Sequence, residues 1–148
     1  WFFTDGRGGP EALDLYRTHY KPSARHPKPN AGICVWALAA ETEEEAQFHF
    51  SSRAHWQLYR DRGVYLPLDT PQNALSQEYG PAETARIEEL RRNALVGTAP
   101  DVAARIRELA ARLGIDEVAI VTWAHDEGAR RTSYTLLARE FGLTPRAG

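Results

Sequence analysis

The side chains with the most reactive chemistry in this chain are five histidines, one cysteine and an adjacent arginine pair. His19, His26, His49 and His55 show no metal-ligand spacing. His49 and His55 fall six positions apart, which places them on different faces of a helix. No metal site is expected. Cys34 lies inside the apolar run Ile33-Cys34-Val35-Trp36, where a thiol is a small structural hydrophobe rather than a nucleophile. As the single cysteine it cannot form an intrachain disulfide. Thr98 precedes a helical pattern whose first amides can hold a phosphate, but every capped helix offers that, and ordinary capping is the favoured reading. Arg130 and Arg131 are expected to dock on a nearby acid such as Glu127 or Glu140. The glycine-rich dinucleotide fingerprint, the phosphate loop and the serine elbow are all absent from the sequence.

The background composition removes further classes. Eighteen basic against twenty acidic residues give a net charge of −2, so no field draws the chain to nucleic acid or to an anionic membrane. The apolar share of 43% and charged share of 26% are those of a globular protein. No apolar run approaches the ~20 residues of a membrane span, and no secretory leader is visible, so the cytoplasm is the expected compartment. The chain starts at Trp1 and contains no methionine, which predicts that it lies inside a longer polypeptide.

The elements that must position these groups alternate. A short helix is expected from Pro10 to Tyr20, then a proline-containing loop to Asn30. Ala31 to Ala40 is continuously apolar, the pattern of a strand buried on both faces. Thr42 and Glu45 form a capping box that opens a long helix, with Ala46, Phe50, Ala54 and Leu58 on one stripe and Gly63 as its stop. Residues 64–80 read as a long irregular loop. Pro81 opens a helix to Arg92, and Thr98 caps another carrying Val102, Ile106, Leu109 and Leu113, with Asp101–Arg105 and Glu108–Arg112 as i,i+4 pairs. Val118–Trp123 forms a second strand, Asp126 starts a last helix to about Phe141, and 144–148 is a frayed tail. The whole reads as one partial α/β domain, 1–148. Two strands, with Phe2-Phe3 as the end of a third, are too few for a closed sheet.

Leu13-Asp14-Leu15-Tyr16-Arg17, Tyr20-Lys21-Pro22-Ser23, the strand running into Ala39-Ala40-Glu41-Thr42-Glu43-Glu44-Glu45, and then Ala94-Leu95-Val96-Gly97-Thr98, Gly114-Ile115-Asp116-Glu117-Val118, His125-Asp126 and Arg130-Arg131-Thr132-Ser133-Tyr134 occur in series. This series resembles the C-terminal part of the luciferase-like flavin-dependent monooxygenases, over residues 11 to 143. The resemblance implies the C-terminal portion of a (β/α)8 TIM barrel, an architecture of ~250 residues when complete. Ala31–Ala40 would be its seventh strand and Val118–Trp123 its eighth. It implies an oxidoreductase that uses reduced FMN, or in one branch F420, with oxygen to oxidise a small organic substrate. The earlier strands, which carry most of the family's flavin contacts, are missing here, so this fragment alone is expected to bind no flavin and to be inactive.

Barrel strands aim their C-terminal ends at the active site, which singles out Trp36, Trp123 and His125 as cofactor-binding or substrate-pocket residues. An indole there packs against a flavin ring or shapes an apolar pocket. Packing within the barrel is the competing reading for both tryptophans, and helix initiation for His125. No catalytic residue can be carried over. Flavin and a small organic substrate are the expected partners, with homo-oligomer formation through open strand edges. Two other readings stand beside this one: a non-catalytic truncated barrel module that self-associates, and an unrelated small α/β binding module.

Overall fold

The computed structural model describes residues 2–3 and 9–144. The elements run β1 (Phe2–Phe3), α1 (Gly9–His19), β2 (Gly32–Ala40), α2 (Glu43–Asp61), α3 (Pro71–Leu75), α4 (Pro81–Asn93), β3 (Leu95–Thr98), α5 (Ala99–Leu113), β4 (Glu117–Val121) and α6 (Glu127–Glu140). The fold is α/β and every described strand pairing is parallel.

The sheet is organised by β2, the unbroken apolar run. It pairs with β1 at Ile33 and Cys34, with β4 from Gly32 to Trp36, and with β3 from Ala37 to Ala40. Because β1 and β4 both pair with Ile33 and Cys34, they lie on opposite edges of β2. The alternating side chains of β2 then divide the core. Ile33 and Val35 pack with Leu13 of α1 and with Leu109 and Leu113 of α5. Ala37 and Ala39 pack with Val102 and Ile106 of α5 and Leu137 of α6. On the other face, Trp36, Leu38 and Ala40 meet Ala46, Phe50 and Ala54 of α2. Both faces are covered, which is why this strand carries no polar alternation. Truncating Leu38, 1% exposed, to Ala is expected to cost about 2–5 kcal/mol.

Local signals place the helices. Thr42 accepts a hydrogen bond from the Glu45 amide at 3.1 Å, and the Glu45 carboxylate reaches back to the amide of Glu41. Asp126 caps α6 through the Ala129 amide at 2.6 Å. α5 ends at Gly114 in the left-handed conformation, φ 60°, where Arg17 donates to the carbonyls of Leu113 and Gly114 at 2.8 and 2.7 Å. Gly97 sits at φ 148°, a backbone conformation that L side chains rarely adopt, which favours glycine there.

Several expectations differ from the structure. Leu95–Thr98, where no strand is expected, forms β3; a four-residue strand containing glycine has too little pattern to announce itself. The loop 64–80 is interrupted by α3, because Thr70 accepts from the Asn73 amide and Pro71 occupies the first turn. β4 stops at Val121, before Trp123. Thr98 makes no side-chain cap: its hydroxyl donates to Asp101 at 2.6 Å. Among the described residues, the pairs Asp101–Arg105 and Glu108–Arg112 do not close; Arg105 turns instead toward the Arg92 carbonyl, 3.4 Å away. Arg130 and Arg131 do dock on Glu127, at 3.8 and 2.6 Å. Cys34 is half-buried within β2. The expected tail falls mainly on 145–148, outside the described residues. No helix is long and apolar enough to cross a membrane.

Candidate functional site

α2 carries two different stripes. Ala46, Phe50, Ala54 and Leu58 are buried against the sheet, as their spacing of four predicts. Beside them run His49, Ser52, Arg53 and Trp56, spaced by three and four and therefore on one side of the helix. From this second stripe Arg53 and Trp56 reach toward Trp36 of β2 and Trp123 beyond β4.

Arg53 is its centre. Its guanidinium lies 4.4 Å from the Trp36 ring, 5.0 Å from Trp123 and 5.6 Å from Trp56. Trp56 meets Trp123 edge to face at 5.9 Å and donates through its indole nitrogen to the Leu66 carbonyl at 2.9 Å. Trp36 is buried, 7% exposed, and tilts against Phe50, whereas Trp123 is 42% exposed. Trp36 lies in the middle of β2 but opposite Val121, the last residue of β4, so the shorter strand brings both indoles to one level.

Burial together with repulsion from Arg60 lowers the Arg53 pKa to about 10. A desolvated cation normally closes on a carboxylate. Arg53 instead has ring faces, whose quadrupoles supply ~2 kcal/mol or more in such a setting but no hydrogen-bond acceptor. Among the described residues, four buried side-chain polar atoms lack a partner: Arg53 Nη1, Trp36 Nε1, His49 Nδ1 and Ser52 Oγ. Three belong to the one stripe of α2, and the fourth is on the indole beneath Arg53. Buried polar atoms are partnered in the great majority of folded proteins, so four of them gathered at one place distinguish this stripe from the rest of the described core.

The structure therefore joins Trp36 and Trp123, through Arg53 and Trp56, into one cluster. His125 is exposed in the turn before α6, and the ring contacts that tie the cluster together do not include it. Arg53 and Trp56 escape a strand-end argument because they come from a helix. The available signal was a cation three residues after Phe50, and seven after Ala46, beside an apolar face. His55, one residue off the stripe, has a structural role. Tyr79 spends its single hydroxyl proton on the Ala74 carbonyl at 2.7 Å, so His55 Nδ1, 2.8 Å from that hydroxyl, is the donor of the pair.

No family model matches the chain. A luciferase-like monooxygenase of Escherichia coli strain K12 is 30% identical over 126 residues, 85% of this chain and 38% of the relative. The chain is related to the luciferase-like monooxygenases. Bacillus subtilis YwcH is 30% identical over 140 residues, 94% of this chain and 42% of that protein. The solved structure of apo-MsnO8 superposes with a TM-score of 0.80 at 28% identity, covering 93% of this chain and 42% of that one. The chain thus spans about two fifths of the length of each of these relatives.

Proposed function

We propose that this chain forms the C-terminal strands of a (β/α)8 barrel in a flavin-dependent monooxygenase, and that the Trp36–Arg53–Trp56–Trp123 cluster is its contribution to the ligand pocket. The winding supports the barrel: β1, β2 and β4 lie side by side in chain order, and α1, α5 and α6 all pack on one face of β2. A doubly wound sheet would distribute those helices over both faces, whereas a barrel keeps them outside. α2 packs on the opposite face, which in a barrel would be the inner side, against Trp36, Leu38 and Ala40 toward the C-terminal end of β2.

The observation that carries the functional reading is the orphaned donor set beside three indoles. It fits a flavin. Trp36 Nε1 and Arg53 Nη1 would donate to the carbonyl oxygens of such a ring, and the exposed part of Trp123 would offer it a flat surface. Bound reduced FMN, or F420, supplies the electrons for oxygen chemistry. The residues of this chain would hold the ring, keep water from the Trp36 side, and place a cation where negative charge gathers. Without the remaining strands the pocket has one wall, and the 148-residue chain by itself is expected to turn over nothing.

Oxygen uptake by the gene product that contains this chain tests the proposal, with reduced FMN and reduced F420 offered separately and a medium-chain aldehyde as trial substrate. Uptake above the autoxidation rate with one of them is expected. Trp123→Ala should weaken that flavin about tenfold, the loss of one ring contact of ~1.4 kcal/mol. Indifference to both flavins would contradict the proposal.

A second reading, self-association of the chain, is favoured by one observation: β4 pairs only with β2 among the described strands, leaving its other edge open. Light scattering on the chain should then show a dimer or larger, and a monodisperse monomer with cooperative unfolding would remove this reading.

A further inference from the structure

A cavity of about 420 Å³ opens between α2, α4 and α5, against the edge of β2. Its size falls within the ~300–1,000 Å³ of small-molecule sites. Its charge is lopsided, because Arg53, Arg86, Arg92, Arg105 and Arg112 line it and Glu108 is the sole carboxylate doing so. Arg86 is neutralised, donating to Asp61 and Glu89 at 2.8 Å each. Among the described residues, the other four arginines make no ion pair.

This is not for want of partners. Asp101 stands four residues before Arg105 and Glu108 four before Arg112, the spacing at which helical pairs close, and both pairs stay open. Elsewhere on the surface such chances are taken, as by Arg62 with Glu83, Arg91 with Glu88 and Arg131 with Glu127. Gathering unpaired cations around a concave surface raises the local potential and concentrates anions there. Beneath the arginines the floor is apolar, built by Leu90, Leu95, Leu109 and the edge of Trp36.

We propose that this cavity binds a small amphiphilic organic anion, its oxyanion head held by Arg105, Arg112 and Arg92 and its apolar body laid on the leucine floor. Guanidinium forks match the two oxygens of such a head, which a neutral ligand of the same length lacks. The site needs no flavin and stands whether or not the chain belongs to a monooxygenase; Arg53 and Trp36, shared with the indole cluster, make the two sites neighbours.

Calorimetric titration of the protein at low ionic strength, with octanoate, 1-octanol and sodium sulfate as probes, tests this. Octanoate should bind at least tenfold more tightly than either 1-octanol, which keeps the body, or sulfate, which keeps the head charge. The double variant Arg105→Gln/Arg112→Gln removes exposed or half-exposed charges and should fold, as checked by its thermal midpoint. It should weaken octanoate tenfold or more and leave 1-octanol unchanged. Equal binding of octanoate and 1-octanol, sulfate binding as tight as octanoate, absence of octanoate binding, or a double variant that binds like the parent would each overturn the proposal.

Discussion

Two buried polar groupings lie near the ends of β2 and β4, and they are opposites. At the junction with α6, the Thr122 hydroxyl donates to the Ala37 carbonyl at 2.7 Å, the Thr122 amide to Tyr134 at 2.9 Å, and the Ala39 amide to the Ser133 hydroxyl at 2.9 Å. Thr122 and Ser133 are almost fully buried, and neither is left short of a partner. Across β2, the α2 stripe holds buried atoms of Arg53, His49 and Ser52 that have no partner among the described residues. The first grouping is complete as folded, so it serves the fold. The second keeps polar atoms without a partner among the described residues, which is what the proposed ligand wall would use.

Substitutions should separate the two. Ser133→Ala removes the acceptor of a buried amide and should destabilise by about 1–3 kcal/mol in urea unfolding. Arg53→Met, of similar length and without the unmet hydrogen bonds, should change stability by less than about 1 kcal/mol, since lost ring contacts and relieved desolvation oppose each other. A large loss would mean that Arg53 is structural, and the contrast would fail. A pH series sharpens the point. The pKa of Arg53 is depressed in the folded state, so folding carries the full burial penalty below about pH 10. Above it the folded protein sheds the proton while the unfolded chain keeps it, and stability rises. The stability of Arg53→Met relative to the parent should therefore decline from pH 9 to pH 11; a difference independent of pH would contradict this origin. The smallest effect belongs to the half-exposed pair outside both regions. Hydrogen bonds from Arg86 and Gln57 outweigh burial and hold the Asp61 carboxyl below its usual range, yet Asp61→Asn should cost under ~1 kcal/mol in the same assay.

The same contrast marks what the sequence makes legible. β2 was readable because both of its faces are buried, α5 because Val102, Ile106, Leu109 and Leu113 keep helical period, and α2 and α6 because Thr42 and Asp126 are local caps. β3 was not readable, since four residues with a central glycine acquire strand character only from pairing with Ala37–Ala40. Charge spacing also misled: i,i+4 geometry permits Asp101–Arg105, but Asp101 accepts from Thr98 and Arg105 turns to the α4 carbonyl. Of the site, Trp36 and Trp123 are singled out by an expected place at strand ends, whereas Trp36 lies in the middle of β2 and Trp123 two residues beyond β4. Their meeting through Arg53 and Trp56 depends on how α2 crosses the sheet, and no local pattern encodes that. His125 was singled out for the same position, but its ring stands outside the cluster.

The central claim is that the α2 stripe is a ligand wall, and flavin titration followed by tryptophan fluorescence addresses it most directly. The gene product containing this chain should be titrated with FMN as the parent, as Arg53→Met and as Ser133→Ala. The account predicts quenching in the parent, affinity at least tenfold weaker in Arg53→Met despite near-parent stability, and parent-like affinity in Ser133→Ala below its unfolding midpoint. Equal FMN affinity in Arg53→Met and the parent, or no quenching in either, would contradict it.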